Sequence, residues 1–204
     1  KDVKLETMID HGKTVKKYAK KSLVVVDMPY KTYTNKLVAF KNASKLMKLT
    51  KCDAVKLEGG KKISKIISHL VKKGIPVMGH VGLLPQSSKK YRLKGKNIYE
   101  KKIILEDAIS VARSGAFSMV IECVVESLAK KITKSVSIPT IGIGASKHCD
   151  GQILVIDDML GLSNFVPKFV KQYSNIRKVI EKSVKNYAKE VKLRKFPSFS
   201  NVYN

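Results

Sequence analysis

The sequence predicts one α/β domain over residues 1–204, built on a parallel sheet. Six short apolar runs alternate with amphipathic segments along the chain. Helices between successive strands impose right-handed crossovers, so the choice lies between a doubly wound open sheet and a (β/α) barrel. A TIM barrel needs eight strands in about 250 residues. We therefore expect either an open sheet or a (β/α)8 TIM barrel whose first two strands lie upstream of Lys1.

The first elements each carry a local signal. Residues 6–20 have the apolar spacing of a helix, and the run LVVVD at 23–27 reads as a β-branched strand stopped by a Met-Pro pair. Asn35 can cap a helix over residues 36–49. The run AVKLE at 54–58 predicts the second strand, because two glycines close it.

The middle of the chain continues the alternation. Residues 61–73 predict an amphipathic helix ended by a glycine, and residues 75–80 predict the third strand. The segment 84–101 is the longest without periodicity, and loops of this length are usually functional lids or disordered. Residues 106–114 predict the next helix, again ended by a glycine.

The remaining elements complete the series. Strands are predicted at 117–122, 139–144 and 152–157, where short aliphatic runs recur. Helices are predicted over 126–136 and over a long C-terminal region from about 166 to 193. No internal repeat or linker divides the sequence, which favours the single domain.

The charge balance first suggests a nucleic-acid partner. The net charge is +25, from 41 basic and 16 acidic side chains, and basic side chains release counterions when they neutralise phosphates. Only four of the basic residues are arginines, although the guanidinium fork is the better group for recognising bases and phosphates. The lysines recur on nearly every predicted helix. We interpret them as a solvated exterior and expect no nucleic-acid partner.

Cysteine usage and hydropathy indicate the compartment. Cys52, Cys123 and Cys149 are widely spaced and form no C-x-x-C pair, which argues against a disulfide framework or a zinc knuckle. No stretch approaches the roughly 18 apolar residues of a membrane span, and acidic residues interrupt the N-terminal segment where a signal peptide would lie. We expect a cytoplasmic protein with no membrane partner.

Three ionisable residues lie at the ends of the first two predicted strands. Asp27 closes its strand, so its carboxylate is either a ligand for a hard metal or a cap for the following turn. Lys56 and Glu58 are two residues apart and share one face of a strand. They face the pocket of a barrel or form an ordinary surface pair.

Two further candidates close the third and fourth strands. Glu122 follows four apolar residues, so we expect it to be the candidate carboxylate that loses the most hydration. Burial raises the pKa of a carboxyl group toward the range of a general base. The alternative is a strand-end acid paired with a lysine. For His80, a structural hydrogen bond and a substrate contact both stay open. Together these residues suggest a metal-assisted site for an acidic substrate.

Five segments, in order along almost the whole chain, resemble the ketopantoate hydroxymethyltransferase family: VVVDMPY, AVKLEGG, GIPVMGHVGLLPQS, MVIECV and IPTIGIGASKHCDGQILVIDD. The resemblance implies a (β/α)8 barrel that uses Mg²⁺. It also implies transfer of a hydroxymethyl group from 5,10-methylenetetrahydrofolate to 3-methyl-2-oxobutanoate, giving ketopantoate for pantothenate synthesis, and a homo-oligomer. Family members carry two strands and a Gly-Asp-Ser segment ahead of residues 23–27, which this sequence lacks.

The resemblance also implies a role for each candidate. By position, Asp27 matches a metal ligand that lies beside the oxo acid, and Lys56 matches a substrate-binding lysine. Glu58 matches a further acid of the metal site, and Glu122 matches the proton acceptor. Under this hypothesis Mg²⁺ acts as a Lewis acid, Glu122 removes the carbon-bound proton, and the resulting enolate attacks the methylene carbon of the folate.

Two rival functions stay open at the level of the sequence. One is another Mg²⁺-dependent barrel acting on carbon–carbon bonds next to an oxo acid, such as the isocitrate lyase and phosphoenolpyruvate mutase group. The other is a non-catalytic basic protein that binds nucleic acid, or an inactive remnant. Dependence on folate separates the first rival, and a steeply salt-dependent affinity for nucleic acid would reveal the second.

Overall fold

The computed structural model describes residues 3–88 and 91–203. The chain divides into two compact units, Lys1–Ile153 and Leu154–Asn204. The first unit contains the sheet, its helices and every candidate site residue. The division leaves the single domain over residues 1–204 as a prediction.

The described sheet has six strands that pair in parallel: β1 Val25–Asp27, β2 Ala54–Lys56, β3 Val77–Gly82, β4 Ser118–Glu122, β5 Thr140–Ile143 and β6 Gly151–Gln152. Their spatial order follows the chain, β1-β2-β3-β4-β5-β6. Every crossover therefore steps in the same direction, whereas a doubly wound sheet reverses direction at a switch point. The predicted α/β class is confirmed, and the sheet is a six-stranded parallel part of a barrel.

The helices of the first unit are α1 Leu5–Tyr18, α2 Lys36–Thr50, α3 Ser64–Lys72, α4 Ile98–Arg113 and α5 Glu126–Ser135. The second unit contains α6 Ile156–Met159 and α7 Ile176–Lys192. The predicted cap of α2 is present, since Asn35 Oδ1 accepts the Val38 N–H at 2.9 Å. Within the described part of the chain, no helix has both the length and the apolarity needed to cross a membrane.

Helix α4 begins at Ile98, eight residues earlier than the predicted start at residue 106. Asn97 caps it by accepting the Glu100 N–H at 2.8 Å. The Glu100 carboxylate in turn accepts the Gly95 N–H at 2.8 Å, which fixes the chain leading into the helix. The predicted loop 84–101 is therefore shorter than expected, and its residues 89 and 90 lie outside the described part.

Two predictions near the end of the chain are wrong in extent. The predicted strand 152–157 is reduced to the β6 pair, and Asp157 and Asp158 instead lie in the first turn of α6. Acidic side chains there complement the positive end of a helix, which favours the helical alternative. The C-terminal helix begins only at Ile176, where Asn175 Oδ1 accepts the Lys178 N–H at 3.1 Å.

Apolar side chains from the strands and from the inner faces of the helices form the core of the first unit. The largest fully buried ones are Met28, Leu46, Leu57, Ile67, Leu70, Leu83, Met119, Ile121 and Ile132. Burying one such side chain contributes about 1.5–3 kcal/mol. Some of these residues lie in the strands or next to them, and the others lie in the helices that pack on the sheet. Their packing holds the carboxyl ends of the strands at fixed positions.

Gly79 of β3 lies where α4 packs on the sheet, and a Cβ there would lie 2.3 Å from Val111 Cγ1. We expect Gly79→Ala to lower the free energy of unfolding by about 1–3 kcal/mol, because the closed core cannot absorb an extra methyl group without strain. Chemical denaturation measures the loss. Val111→Ala in the Gly79→Ala background makes room and should restore part of it, whereas strictly additive losses would contradict this contact.

Candidate active site

The structure brings the four candidate residues to one edge of the sheet. Asp27, Lys56 and Glu122 are the last residues of β1, β2 and β4, and Glu58 follows two residues after Lys56. Carboxyl ends of parallel strands meet at the same edge, and this edge carries the chemistry in folds of this type. Asp27 pairs in register with Lys56, which places these two side chains next to each other.

Polar contacts connect these residues through His80. Lys56 Nζ lies 2.9 Å from Asp27 Oδ2 and 3.3 Å from His80 Nδ1. On the other side of the ring, His80 Nε2 lies 3.3 Å from Glu122 Oε2. A continuous row of four side chains therefore runs across β1, β2, β3 and β4.

His80 is the central residue of this row and is only 2% exposed. The Lys56 ammonium can only donate, so His80 Nδ1 accepts and the proton of the neutral ring lies on Nε2, the side of Glu122. Within the described residues Nε2 makes no contact with hydrogen-bond geometry. A buried polar atom without a hydrogen-bond partner lowers the stability of the fold by about 1–3 kcal/mol, so its presence calls for an explanation. His80 thus lies between Lys56 and Glu122, and the structural hydrogen bond and the substrate contact left open by the sequence both stay predictions.

Glu58 is the most buried of the three carboxylates. Its side chain is 6% exposed, compared with 16% for Glu122, so the expectation that Glu122 is the most desolvated is wrong. Burial raises the pKa of Glu58 above its usual value, and the negative charge of Asp27 adds to the rise. Gln86, in the loop after β3, donates its backbone N–H to Glu58 Oε2 at 3.0 Å.

Asp27 and Glu58 are the carboxylates available to the Mg²⁺ that the family resemblance implies. Among residues 3–88 and 91–203, no three His, Cys, Asp or Glu side chains are grouped as a ready-made metal site. Asp27 and Glu58 nevertheless supply two carboxylates that repel each other. Mg²⁺ is typically held by one or two carboxylates and keeps water or substrate oxygens as its other ligands. The two carboxylates are of the chemical type that such an ion takes, and its charge would relieve their repulsion.

A cavity of about 180 Å³ opens next to Asp27. Its lining is mostly apolar and also includes Gln86: Val3, Met8, Asp27, Pro29, Tyr30 and Gln86. The combination of apolar walls with a carboxylate and an amide at one side suits a small organic molecule that is polar at one end. Gln86 was not among the predicted site residues, although it lies in the 84–101 segment, for which a functional lid and disorder both stayed open.

Comparison with known proteins identifies the family of this chain. A family model described as ketopantoate hydroxymethyltransferase matches residues 1–199. The chain belongs to the ketopantoate hydroxymethyltransferase family. A relative in Pelagibacter ubique (strain HTCC1062), named 3-methyl-2-oxobutanoate hydroxymethyltransferase, is 54% identical over 203 residues, which are 100% of this chain and 79% of that protein. A relative of the same name in Anaplasma marginale (strain Florida) is 49% identical over 205 residues, covering 99% and 74%.

Solved structures outside the ketopantoate hydroxymethyltransferase family share the fold. A 2,3-dimethylmalate lyase, a member of the PEP mutase/isocitrate lyase superfamily, has a TM-score of 0.51 at 10% identity and covers 76% of this chain and 55% of that chain. A structure from Burkholderia cenocepacia J2315 has a TM-score of 0.56 at 11% identity and covers 94% and 79%. At such identities the likeness shows the fold alone. The family resemblance drawn from the five sequence segments is confirmed.

Proposed function

We propose that this protein transfers a hydroxymethyl group from 5,10-methylenetetrahydrofolate to 3-methyl-2-oxobutanoate, giving ketopantoate, with Mg²⁺ as its metal. Membership of the ketopantoate hydroxymethyltransferase family supports the reaction. The structural observation that carries the proposal is the row from Asp27 through Lys56 and His80 to Glu122. It offers a cation for an anionic oxo acid and a carboxylate that can accept a proton.

Glu122 is the proton acceptor in this proposal. Its side chain lies at the end of β4 and is 16% exposed, and His80 Nε2 lies 3.3 Å from Oε2. A carboxylate held in this way can remove the proton from the carbon next to the carbonyl of the oxo acid. The His80 ring lies between the two residues, with Nδ1 3.3 Å from Lys56 Nζ and Nε2 3.3 Å from Glu122 Oε2.

Lys56 supplies a fixed positive charge. Its side chain is 14% exposed and its ammonium is held between Asp27 and His80. A charge that is already in place costs no reorganisation when negative charge develops on the enolate oxygen. We propose that Lys56 binds the oxo acid and stabilises the enolate, and that Asp27 orients Lys56 while also lying beside the substrate.

Asp27 and Glu58 are the residues that would hold Mg²⁺. When bound, the ion supplies Lewis acidity that makes the carbon-bound proton of the oxo acid easier to remove. Asp27 keeps one carboxylate oxygen free of the Lys56 contact, which is made through Oδ2. Glu58 keeps Oε1 free of the Gln86 hydrogen bond, which is made through Oε2.

Isotope exchange tests the reaction directly. The protein with Mg²⁺ should exchange the proton at the 3-position of 3-methyl-2-oxobutanoate for deuterium without folate, and ketopantoate should form only when 5,10-methylenetetrahydrofolate is added. Nuclear magnetic resonance follows both steps. Carbon–carbon bond chemistry without folate would favour the lyase and mutase rival. No exchange together with salt-sensitive binding of nucleic acid would favour the non-catalytic rival.

Metal binding gives a second prediction, with melting temperature as the readout. At about 100-fold excess over its Kd, Mg²⁺ should stabilise the protein by about 2.7 kcal/mol, and EDTA should reverse the effect. Glu58→Gln should lose most of this shift, because the amide is a poorer ligand. Glu6→Gln is the control, since the Glu6 carboxylate pairs with Lys45 on the surface. An equal shift in wild type and Glu58→Gln would remove Glu58 from the metal site.

The proposal also includes the barrel, the oligomeric state and the cellular location of the protein. We propose a (β/α)8 barrel of which this chain supplies six strands, because β1 and β6 are the outer strands of the described sheet and unpaired edges are normally covered. A homo-oligomer and a cytoplasmic location are proposed from family membership. Sedimentation equilibrium of the purified protein measures the oligomeric state.

A further inference from the structure

Gln86 uses its backbone and both ends of its side-chain amide in long-range contacts. Its N–H donates to Glu58 Oε2 at 3.0 Å, and its Nε2 donates to the Met28 carbonyl oxygen at 3.0 Å. Its Oε1 accepts the Tyr33 hydroxyl at 2.9 Å. These partners precede Gln86 by 28, 58 and 53 residues. One loop residue therefore connects the ends of β1 and β2 with the segment before α2.

Tyr33 completes this arrangement from the other side. It is 9% exposed, and its hydroxyl also lies 3.3 Å from the Glu58 carbonyl oxygen. Burial raises the pKa of Tyr33 to about 12, so the hydroxyl keeps its proton and remains a donor. The backbone N–H and the side-chain Nε2 of Gln86 therefore each have an acceptor, and its Oε1 has a donor. These hydrogen bonds restrict both the side chain and the backbone of Gln86.

The local turn explains why the Gln86 N–H points at Glu58. The N–H groups of Ser87 and Ser88 both donate to the Leu84 carbonyl oxygen, at 3.2 and 2.9 Å. This turn follows directly from β3, and Pro85 within it has a restricted φ. The loop is thus shaped by its own hydrogen bonds before it contacts Glu58.

We infer that Gln86 is a positioning residue, which orients the Glu58 carboxylate and fixes the end of β1 that carries Asp27. The inference rests on the proposed function, in which Glu58 and Asp27 hold the metal. Met28 is the residue after Asp27, and Gln86 lines the same cavity as Asp27. Because Gln86 fixes Oε2 of Glu58, the other oxygen, Oε1, is directed toward His80, 4.0 Å from Nδ1.

Substitution of Gln86 should weaken the site more than the fold. Gln86→Ala removes two side-chain hydrogen bonds and loosens the turn that presents its N–H. Loss of a partner behind a metal ligand typically costs 10- to 100-fold in metal affinity or activity. We therefore expect the Kd for Mg²⁺, measured calorimetrically with the metal alone, to rise about 10- to 100-fold, with a comparable fall in kcat/KM.

The matched control is Ser87→Ala, one residue further along the same turn, where the side chain is exposed. It should leave both the Mg²⁺ affinity and kcat/KM unchanged. Tyr33→Phe removes the hydroxyl that donates to Gln86 Oε1 and also contacts the Glu58 carbonyl oxygen, and it should reproduce a smaller part of the effect. Because Tyr33 and Gln86 share this hydrogen bond, the effects of Tyr33→Phe and Gln86→Ala should not add in the double variant.

The outcomes separate this inference from the proposed function. If wild type binds Mg²⁺ and turns over, but Gln86→Ala binds Mg²⁺ equally well and only melts at a lower temperature, Gln86 is structural and the inference is overturned. If wild type neither binds Mg²⁺ nor turns over, the proposed function itself fails. All assays are run well below the melting temperature of each variant, and circular dichroism confirms that it is folded.

Discussion

Glu122→Gln is expected to lower kcat by about 10²- to 10⁴-fold, the usual contribution of a positioned general base. The amide has nearly the shape of the carboxylate, so packing around the end of β4 should change little. It cannot accept the proton from the oxo acid, however. Binding of 3-methyl-2-oxobutanoate should be largely retained, because the proposed binding groups, Lys56 and the metal ligands, are unaltered.

The deciding measurement for Glu122→Gln is deuterium exchange at the 3-position with Mg²⁺ present and folate absent. This readout isolates proton removal from the later carbon–carbon bond formation. Glu106→Gln on the exposed face of α4 is the control for loss of one negative charge, and it should exchange at the wild-type rate. Wild-type exchange in Glu122→Gln would refute the assignment of the base.

Lys56→Met should lower kcat/KM by about 10²- to 10³-fold, the range found when one preorganised charge-stabilising donor is removed. The methionine fills a similar volume but has no charge, and both Asp27 and the buried His80 Nδ1 lose the ammonium that contacts them. We expect KM to rise as well as kcat to fall, because Lys56 is proposed to contact the oxo acid before and during the reaction. Steady-state kinetics separates the two effects.

Lys16→Met is the matched control for this substitution. Lys16 Nζ forms a half-buried ion pair with Asp53 Oδ2 at 2.6 Å, and Asp53 directly precedes β2, at the end of that strand opposite to Lys56. Removing it should affect stability in a similar way while leaving kinetics unchanged. Equal loss of activity in both variants would show that Lys56 acts only through the fold.

The sequence predicted candidate site residues correctly as neighbours where a buried apolar strand ends on an ionisable residue. Asp27 and Glu122 each end an apolar run, and a parallel sheet aligns such ends by its topology alone. The alternation of Lys56 with Glu58 likewise predicted a shared face. These are local patterns, so no knowledge of distant partners was needed to find the residues that meet.

Other features depended on long-range contacts that no local pattern contains. Glu58 is more buried than Glu122, so their relative desolvation was predicted wrongly, and one of its partners, Gln86, is 28 positions away in the sequence. The strand predicted over 152–157 had a suitable apolar run but pairs with β5 only at its start. The early start of α4 did have a local signal, since Asn97 is followed three residues later by Glu100.

The hydrogen on the ring of His80 has a consequence for redesign of the enzyme. The ammonium of Lys56 dictates which nitrogen is protonated, and the protonated nitrogen faces Glu122. An engineer who exchanges the lysine to admit a different acid would thereby also release the imidazole to adopt its other tautomer and present a lone pair to the carboxylate. In the proposed reaction, substrate choice and proton removal would therefore be interdependent, and altering one would call for compensating changes at the other.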